Sequence, residues 1–239
     1  MNAALLLALG SKRRIQATLR QSKAGGFATA SGTSTASATT TAVGFDSATL
    51  SGSLLICVVQ VSGTYTGTAV QPLITAVTTS GFSWTGVPQG WAISGQSGKC
   101  AIYYITNASA MATSTHTTVS AEQIKNPSGN PQVWVEFQLY ELVINGTLDT
   151  DQTGSGSSSI PSTTNLTTTE NDVVLVAVNA EGTTGVAGSG YTLGIDSSHQ
   201  NSGVVGQLQY NLGINAGNVP TAFGTSETNW SAVAAAFKI

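Results

Sequence analysis

The chain has 239 residues, 41% hydrophobic and only 8% charged, with a formal net charge of −3. Four Trp, six Tyr and six Phe join the aliphatic residues, which is enough for a core and excludes a chain disordered for want of hydrophobicity. Two cysteines exclude a disulfide framework, and the absence of a glycine loop followed by Lys leaves nucleotide binding without support.

Residues 1–26, MNAALLLALGSKRRIQATLRQSKAGG, begin with an apolar run from Ala3 to Leu9, followed by Lys12, Arg13 and Arg14. A secretory signal carries its positive charge before the apolar run, so the order here is reversed. Crossing a bilayer takes roughly 20 apolar residues, and this run is far shorter. Leu5, Ala8, Leu9, Ile15 and Leu19 recur on one side of a period of about 3.6 residues. The pattern predicts a short amphipathic helix stopped by Gly25-Gly26.

Charge is divided unevenly along the chain. Lys12, Arg13, Arg14, Arg20 and Lys23 are five of the eight basic residues, whereas all eleven acids lie from Asp46 onward. A basic arm on an acidic body suits an anionic partner: nucleic acid, an anionic lipid surface or the acidic face of a neighbouring subunit. With the apolar residues Leu5, Leu9, Ile15 and Leu19 beside that charge, the arm reads as an assembly contact.

The body, residues 27–239, reads as strands. LLICVVQV (Leu54 to Val61) and VVLVAV (Val173 to Val178) are continuous apolar runs, as in central strands buried on both faces. CAIYYIT, THTTVSA and the closing WSAVAAAF add further strands. In VWVEFQL, Val133, Val135, Phe137 and Leu139 alternate with Trp134, Glu136 and Gln138, which predicts a half-buried strand. In VVGQLQYNLGI, Val204, Leu208, Tyr210, Leu212 and Ile214 point inward by the same logic, and Gln207, Gln209 and Asn211 outward. Asn145-Gly146 is the dipeptide suited to a tight hairpin. The expected fold is all-β: one antiparallel two-layer β-sandwich, jelly-roll-like, with an immunoglobulin-like arrangement second and a short N-terminal helical arm. TLSGSLLICVVQVSGT (Thr49 to Thr64) echoes TTENDVVLVAVNAEGT (Thr168 to Thr183), which suggests two similar halves.

Residues that carry chemistry are sparse. Asp196 and His199 lack a nucleophile elbow, so a hydrolytic triad is not supported. Asp149 to Gly154 matches the first half of a calcium loop, but Ile160 stands where the bidentate Glu belongs, so the segment reads as a solvated loop and no metal is assigned. Cys57 and Cys100 are expected as two free thiols, with a disulfide between them the open alternative. Tyr65, Trp84 and Trp91 either plug the ends of the core or form an aromatic patch for glycan. No cofactor is implied.

The segments SGSLLICVVQVSG, ITAVTTSGFSWTGV, CAIYYITNASA, VWVEFQLYELV, NGTLDT, TENDVVLVAV and WSAVAAAFKI follow one another in an order that resembles β-sandwich modules of tailed-phage virion proteins and some bacterial surface proteins. The resemblance covers most of residues 45–239 and rests on strand patterns. It implies a non-enzymatic virion structural protein, assembled in the host cytoplasm, of the capsid-decoration or head-fibre kind. Its implied partners are other virion proteins, bound through the arm, and further copies of itself. A tail-fibre or adhesin component binding host surface polysaccharide is the alternative, and a polysaccharide hydrolase the third reading. The eleven acids are too dispersed to nominate a carboxylate pair for the last.

Overall fold

The computed structural model describes residues 17–64, 72–87, 90–92, 96–124, 130–157, 159–181, 185–195 and 204–239. Among them are strands, bridges, turns and bends, with no helix. The first half of the chain forms β1 (Leu19–Ser31), β2 (Thr35–Thr39), β3 (Ser53–Thr64), β4 (Leu73–Thr79), β5 (Thr85–Gly86), β6 (Gly90–Ala92), β7 (Gln96–Ala108), β8 (Thr117–Ile124) and β9 (Gln132–Leu142). The second forms β10 (Leu148–Gly156), β11 (Leu166–Thr168), β12 (Asp172–Glu181), β13 (Thr192–Leu193), β14 (Val204–Ile214), β15 (Gly217–Val219) and β16 (Thr228–Lys238).

Every pairing is antiparallel, and the pairs nest. In the first half β1 pairs β9, β2 pairs β8 and β3 pairs β7; in the second β10 pairs β16, β11 pairs β15 and β12 pairs β14. Two large sheets result, ordered β1-β9-β3-β7-β5 (with β6 also on β7) and β10-β16-β12-β14-β13. The smaller sheets are β2-β8-β4 and β11-β15.

Four layers follow from the burial pattern. One face of the first large sheet (Leu54, Ile56, Val58, Ile102, Tyr140, Leu142) packs on the second (Val173, Leu175, Leu208, Val233, Phe237). Its other face (Leu55, Cys57, Val59, Phe137, Leu139) packs on the β2-β8-β4 sheet. The outer face of the second large sheet packs under Leu166, Val219 and Phe223. The two large sheets thus form a β-sandwich, with a further layer on each side. This is why β3 and β12 are apolar at consecutive positions: each serves two cores, and each buried Val, Leu or Ile contributes about 1.5–3 kcal/mol.

The stacking changes several expectations. β9 was predicted half-buried, but it is covered on both faces: Glu136 and Gln138, on its polar side, are buried beneath the second large sheet. Likewise Gln207 and Gln209 of β14, expected outside, are buried under the 185–188 and 221–223 segments, with Gln209 donating to Thr221 O and Ala222 O. Ile214 packs on the outer core of the second half rather than between the large sheets, because β14 is bulged opposite Asp172 and Val174. Asn145-Gly146 makes no hairpin; it is the crossing from β9, in one large sheet, to β10, in the other. The expected loop from Asp149 to Gly154 is part of β10.

The body expected as one sandwich is built from two like halves. β3 and β12, the strands that echo each other in sequence, hold the same place in their sheets, and Leu54 and Val173 face the same core. Register shifts recur at matching points: after Leu19 and after Leu148, and between Ser53 and Leu55 as between Asp172 and Val174. Backbone hydrogen bonds recur as well. Val143 N–H reaches Thr18 O at 2.8 Å as Lys238 N–H reaches Thr147 O at 2.9 Å; Val87 N–H reaches Ile102 O at 3.0 Å as Gly194 N–H reaches Leu208 O at 2.7 Å. A threonine hydroxyl accepts a backbone N–H in both halves, Thr49 from Met111 at 2.7 Å and Thr168 from Gly217 at 3.1 Å. Each half also has a Ser-Gly-aromatic turn at Gly81 (φ 79°) and Gly190 (φ 84°), a backbone conformation that suits glycine.

Candidate functional site

The residues proposed as an assembly contact divide at Ala17. Leu5, Leu9, Lys12, Arg13, Arg14 and Ile15 lie outside the described residues. Leu19, Arg20 and Lys23 do not continue a helix; they belong to β1, so the boundary expected at residue 26 falls inside a strand. Leu19 pairs with Leu142 and packs against the core between the large sheets. Gly25-Gly26 marks a register shift in β1 rather than a helix stop, and a Cβ at Gly25 would collide with the Phe137 backbone. Strand pairing here overrides the helical period.

The charged residues of β1 hold down a neighbouring segment. Arg20 donates to Glu141 Oε2 at 2.6 Å and to Ala48 O at 2.9 Å. Gln21 donates to Ser47 O and accepts from Ser47 N–H and its hydroxyl, while Lys23 meets Asp46 at 2.6 Å. Residues 46–48 are therefore fastened by side chains along the outer edge of β1, which covers part of an otherwise open sheet edge. Lys23–Asp46 is exposed and adds little stability.

Glu141 is the centre of this arrangement and was not singled out in the sequence. Its side chain is fully buried. Burial alone would raise its carboxyl pKa, but Leu50 N–H, Gln21, Arg20 and the Ser53 hydroxyl all donate to it and hold it below the ordinary range. An acid within the apolar stretch YELV was the available signal, since a charge there needs partners.

The second half answers with a different set at the matching place. Asp149, on its first strand, accepts Thr169 N–H and the Thr169 hydroxyl, each at 2.7 Å, and lies 3.4 Å from Lys238 Nζ. These donors, with Asp172, overcome the effect of burial and hold the Asp149 carboxyl below its usual range. Asp172 is buried beside it, and apart from its contact with the Asp149 carboxyl neither of its oxygens receives a hydrogen bond. Burial first, then the Asp149 charge, pushes the Asp172 carboxyl up to about 7. Asp149 is thus engaged by protein donors, and no group of three His, Cys, Asp or Glu suited to a metal occurs among the described residues.

The remaining candidates are dispersed. Trp84 is half-buried against the β2-β8-β4 core, and its indole N–H donates to Thr79 Oγ1 at 2.9 Å. Trp91 lies on β6 opposite Lys99, and Tyr65 lies outside the described residues. Asp196 and His199 also lie outside them, and His116 is exposed. Cys57 and Cys100 are free and buried, on neighbouring strands but in different cores. No described helix is long and apolar enough to cross a membrane. Comparison with protein-family models, with curated proteins and with solved structures finds no match to this chain.

Proposed function

We propose that this chain is a non-enzymatic structural protein of a phage particle. It docks on neighbouring virion subunits through residues 1–16 and displays the stacked sheets on the particle surface, as a capsid decoration or head fibre would. The observation that carries this reading is the division of positive charge at Ala17. Downstream, among the described residues, Arg20, Lys23 and Lys238 are each paired with carboxylates and Lys99 is buried; Lys125 lies outside them. Upstream, Lys12, Arg13 and Arg14 sit just ahead of a strand clamped into the fold.

The nested pairing of first strand with last and second with next-to-last supports the reading too. It is the order of a jelly roll, an architecture shared by capsid and lectin domains. The test is a deletion ending at residue 16, which leaves β1 intact. The shortened protein should fold and fail to join the particle in infected cells. Incorporation at full occupancy would overturn the docking role.

A further inference from the structure

The second half carries a groove of about 400 Å³ whose lining includes Ser189, Tyr191, Asn211, Ile214, Gly217 and Asn218. The repeat shows what occupies the same place in the first half. The shared registers of β7 and β14 match Ile105 to Asn211 and Ala108 to Ile214; the shared threonine clamp matches Met111 to Gly217. The shared turn matches Phe82 to Tyr191, whose N–H groups bond to Thr79 O and Gly188 O respectively. In the first half these residues are core: Ala108 and Met111 are buried, and Phe82 and Ile105 pack against them. In the second half three of the four have become Tyr, Asn and Gly, and a Cβ on Gly217 would meet nothing within 4 Å. Tyr191 and Ile214 still pack on the core of their half, but an apolar plug in one half is an open groove of mixed polar and apolar lining in the other.

We propose that this groove binds a neutral saccharide. Among the described residues, none that lines it is charged, so these offer no counter-charge to a phosphate, a carboxylate or a cation. The exchange of Ile and Phe for Asn and Tyr breaks up with amide and phenol groups the continuous apolar lining a fatty ligand would need. An added peptide strand would find only the three residues of β15 followed by Pro220, which has no N–H. What fits is a ligand that presents hydroxyls on its rim and C–H groups on its face. Asn218 and Ser189 supply donors and acceptors, while Ile214 and the Tyr191 ring supply apolar surface. The volume lies within the range of small-ligand sites, which begin near about 300 Å³.

The walls are held in place before any ligand arrives. The Tyr191 hydroxyl donates to Pro220 O at 2.8 Å, and the Asn211 amide bridges Gly190 O at 2.6 Å and Gly213 N–H at 3.1 Å. Asn218 is anchored through its backbone pairing with Thr167, so its side chain can change without loss of the strand.

The lining residues all come from positions 189–220, so the arm deletion removes none of them. The test uses full-length 15N-labelled protein titrated with glucose, galactose, N-acetylglucosamine and their β-linked disaccharides, with amide shifts read by NMR. At least one sugar should give saturable shifts centred on Tyr191, Gly217 and Asn218. Asn218→Ala should weaken that binding about fivefold, the value of one neutral hydrogen bond. Asn211→Ile, which restores the first-half side chain, should abolish it; if that variant melts early, Asn218→Ala carries the test alone. The proposal is overturned if no sugar shifts these amides at its solubility limit. It is equally overturned if the shifts fall elsewhere, if Asn218→Ala binds like the parent, or if only an extended Thr-rich peptide moves the groove.

Discussion

Arg20 on β1 and Glu141 on β9 join the first and last strands of one half through a contact of 2.6 Å, with the carboxylate fully buried and the guanidinium side chain 29% exposed. The partner strand of β1 therefore holds an acid that water cannot reach, and Arg20 supplies the charge that balances it.

Removing one member of such a pair strands the other. Arg20→Ala should cost about 2 kcal/mol, seen as a fall in Tm of about 6 °C. Arg20→Lys should recover only part, because the ammonium sits on a differently shaped stem and is more strongly hydrated than the guanidinium whose one nitrogen reaches both Glu141 and Ala48 O. A melt unchanged in Arg20→Ala would show that the remaining donors suffice.

The same geometry fixes where the chain can be shortened. Deletion of residues 1–16 should shift Tm by no more than about 2 °C. Deletion of residues 1–24 removes the paired stretch from Leu19 to Ala24 and should lower it by about 8 °C or more. Equal melts for the two deletions would contradict the placement of β1.

Asp172 makes stability depend on pH. Its folded pKa of about 7 lies above the unfolded value near ~3.9, so the folded state binds the extra proton between these values. Stability from this group is complete below the unfolded value and is lost as pH rises through about 7. Asp149, held low, acts in the opposite sense only in more acidic solution. Asp172→Asn should raise stability at pH 8 by about 2 kcal/mol and leave it nearly unchanged at pH 4. Denaturant titrations at both values measure this, and an equal effect at each would refute it.

Both thiols should be inert in the folded protein. Burial pushes the Cys100 thiol up to about 12 and the Cys57 thiol higher still, so almost no thiolate forms near neutrality. Ellman's reagent should find neither cysteine in native protein and both after denaturation. Rapid reaction of either in the folded state would mean that its core opens readily.

The strands and cores were largely legible because apolar runs and alternation are local signals. LLICVVQV and VVLVAV already contained the stacked layers: strands apolar on both faces need a cover on both faces, which two layers do not provide. The repeat was visible as an echo, but its strength lies in register shifts and hydrogen bonds that pair residues far apart in sequence. Leu19 to Ala24 misled because a period of about 3.6 residues in a short stretch says nothing of the strand waiting at Leu142. The groove was illegible for a similar reason. Asn211 reads as an outward strand residue and Gly217 as one glycine among many until Ile105 and Met111 show what their positions hold elsewhere.

The nested pairing also bears on how the chain comes to fold as it is made. β1 has no partner until β9 has been synthesised, so the first half stays open while most of its length is exposed. By then a second set of strands with the same arrangement is following, and β16 could compete for the place of β9. Side-chain bulk keeps them apart. Where β9 carries Phe137, Leu139 and Tyr140, β16 carries Ala232, Ala234 and Ala235, so a swap would leave one core hollow and overfill the other. The alanine run of the closing strand thus acts as an address, telling each half which strand is its own.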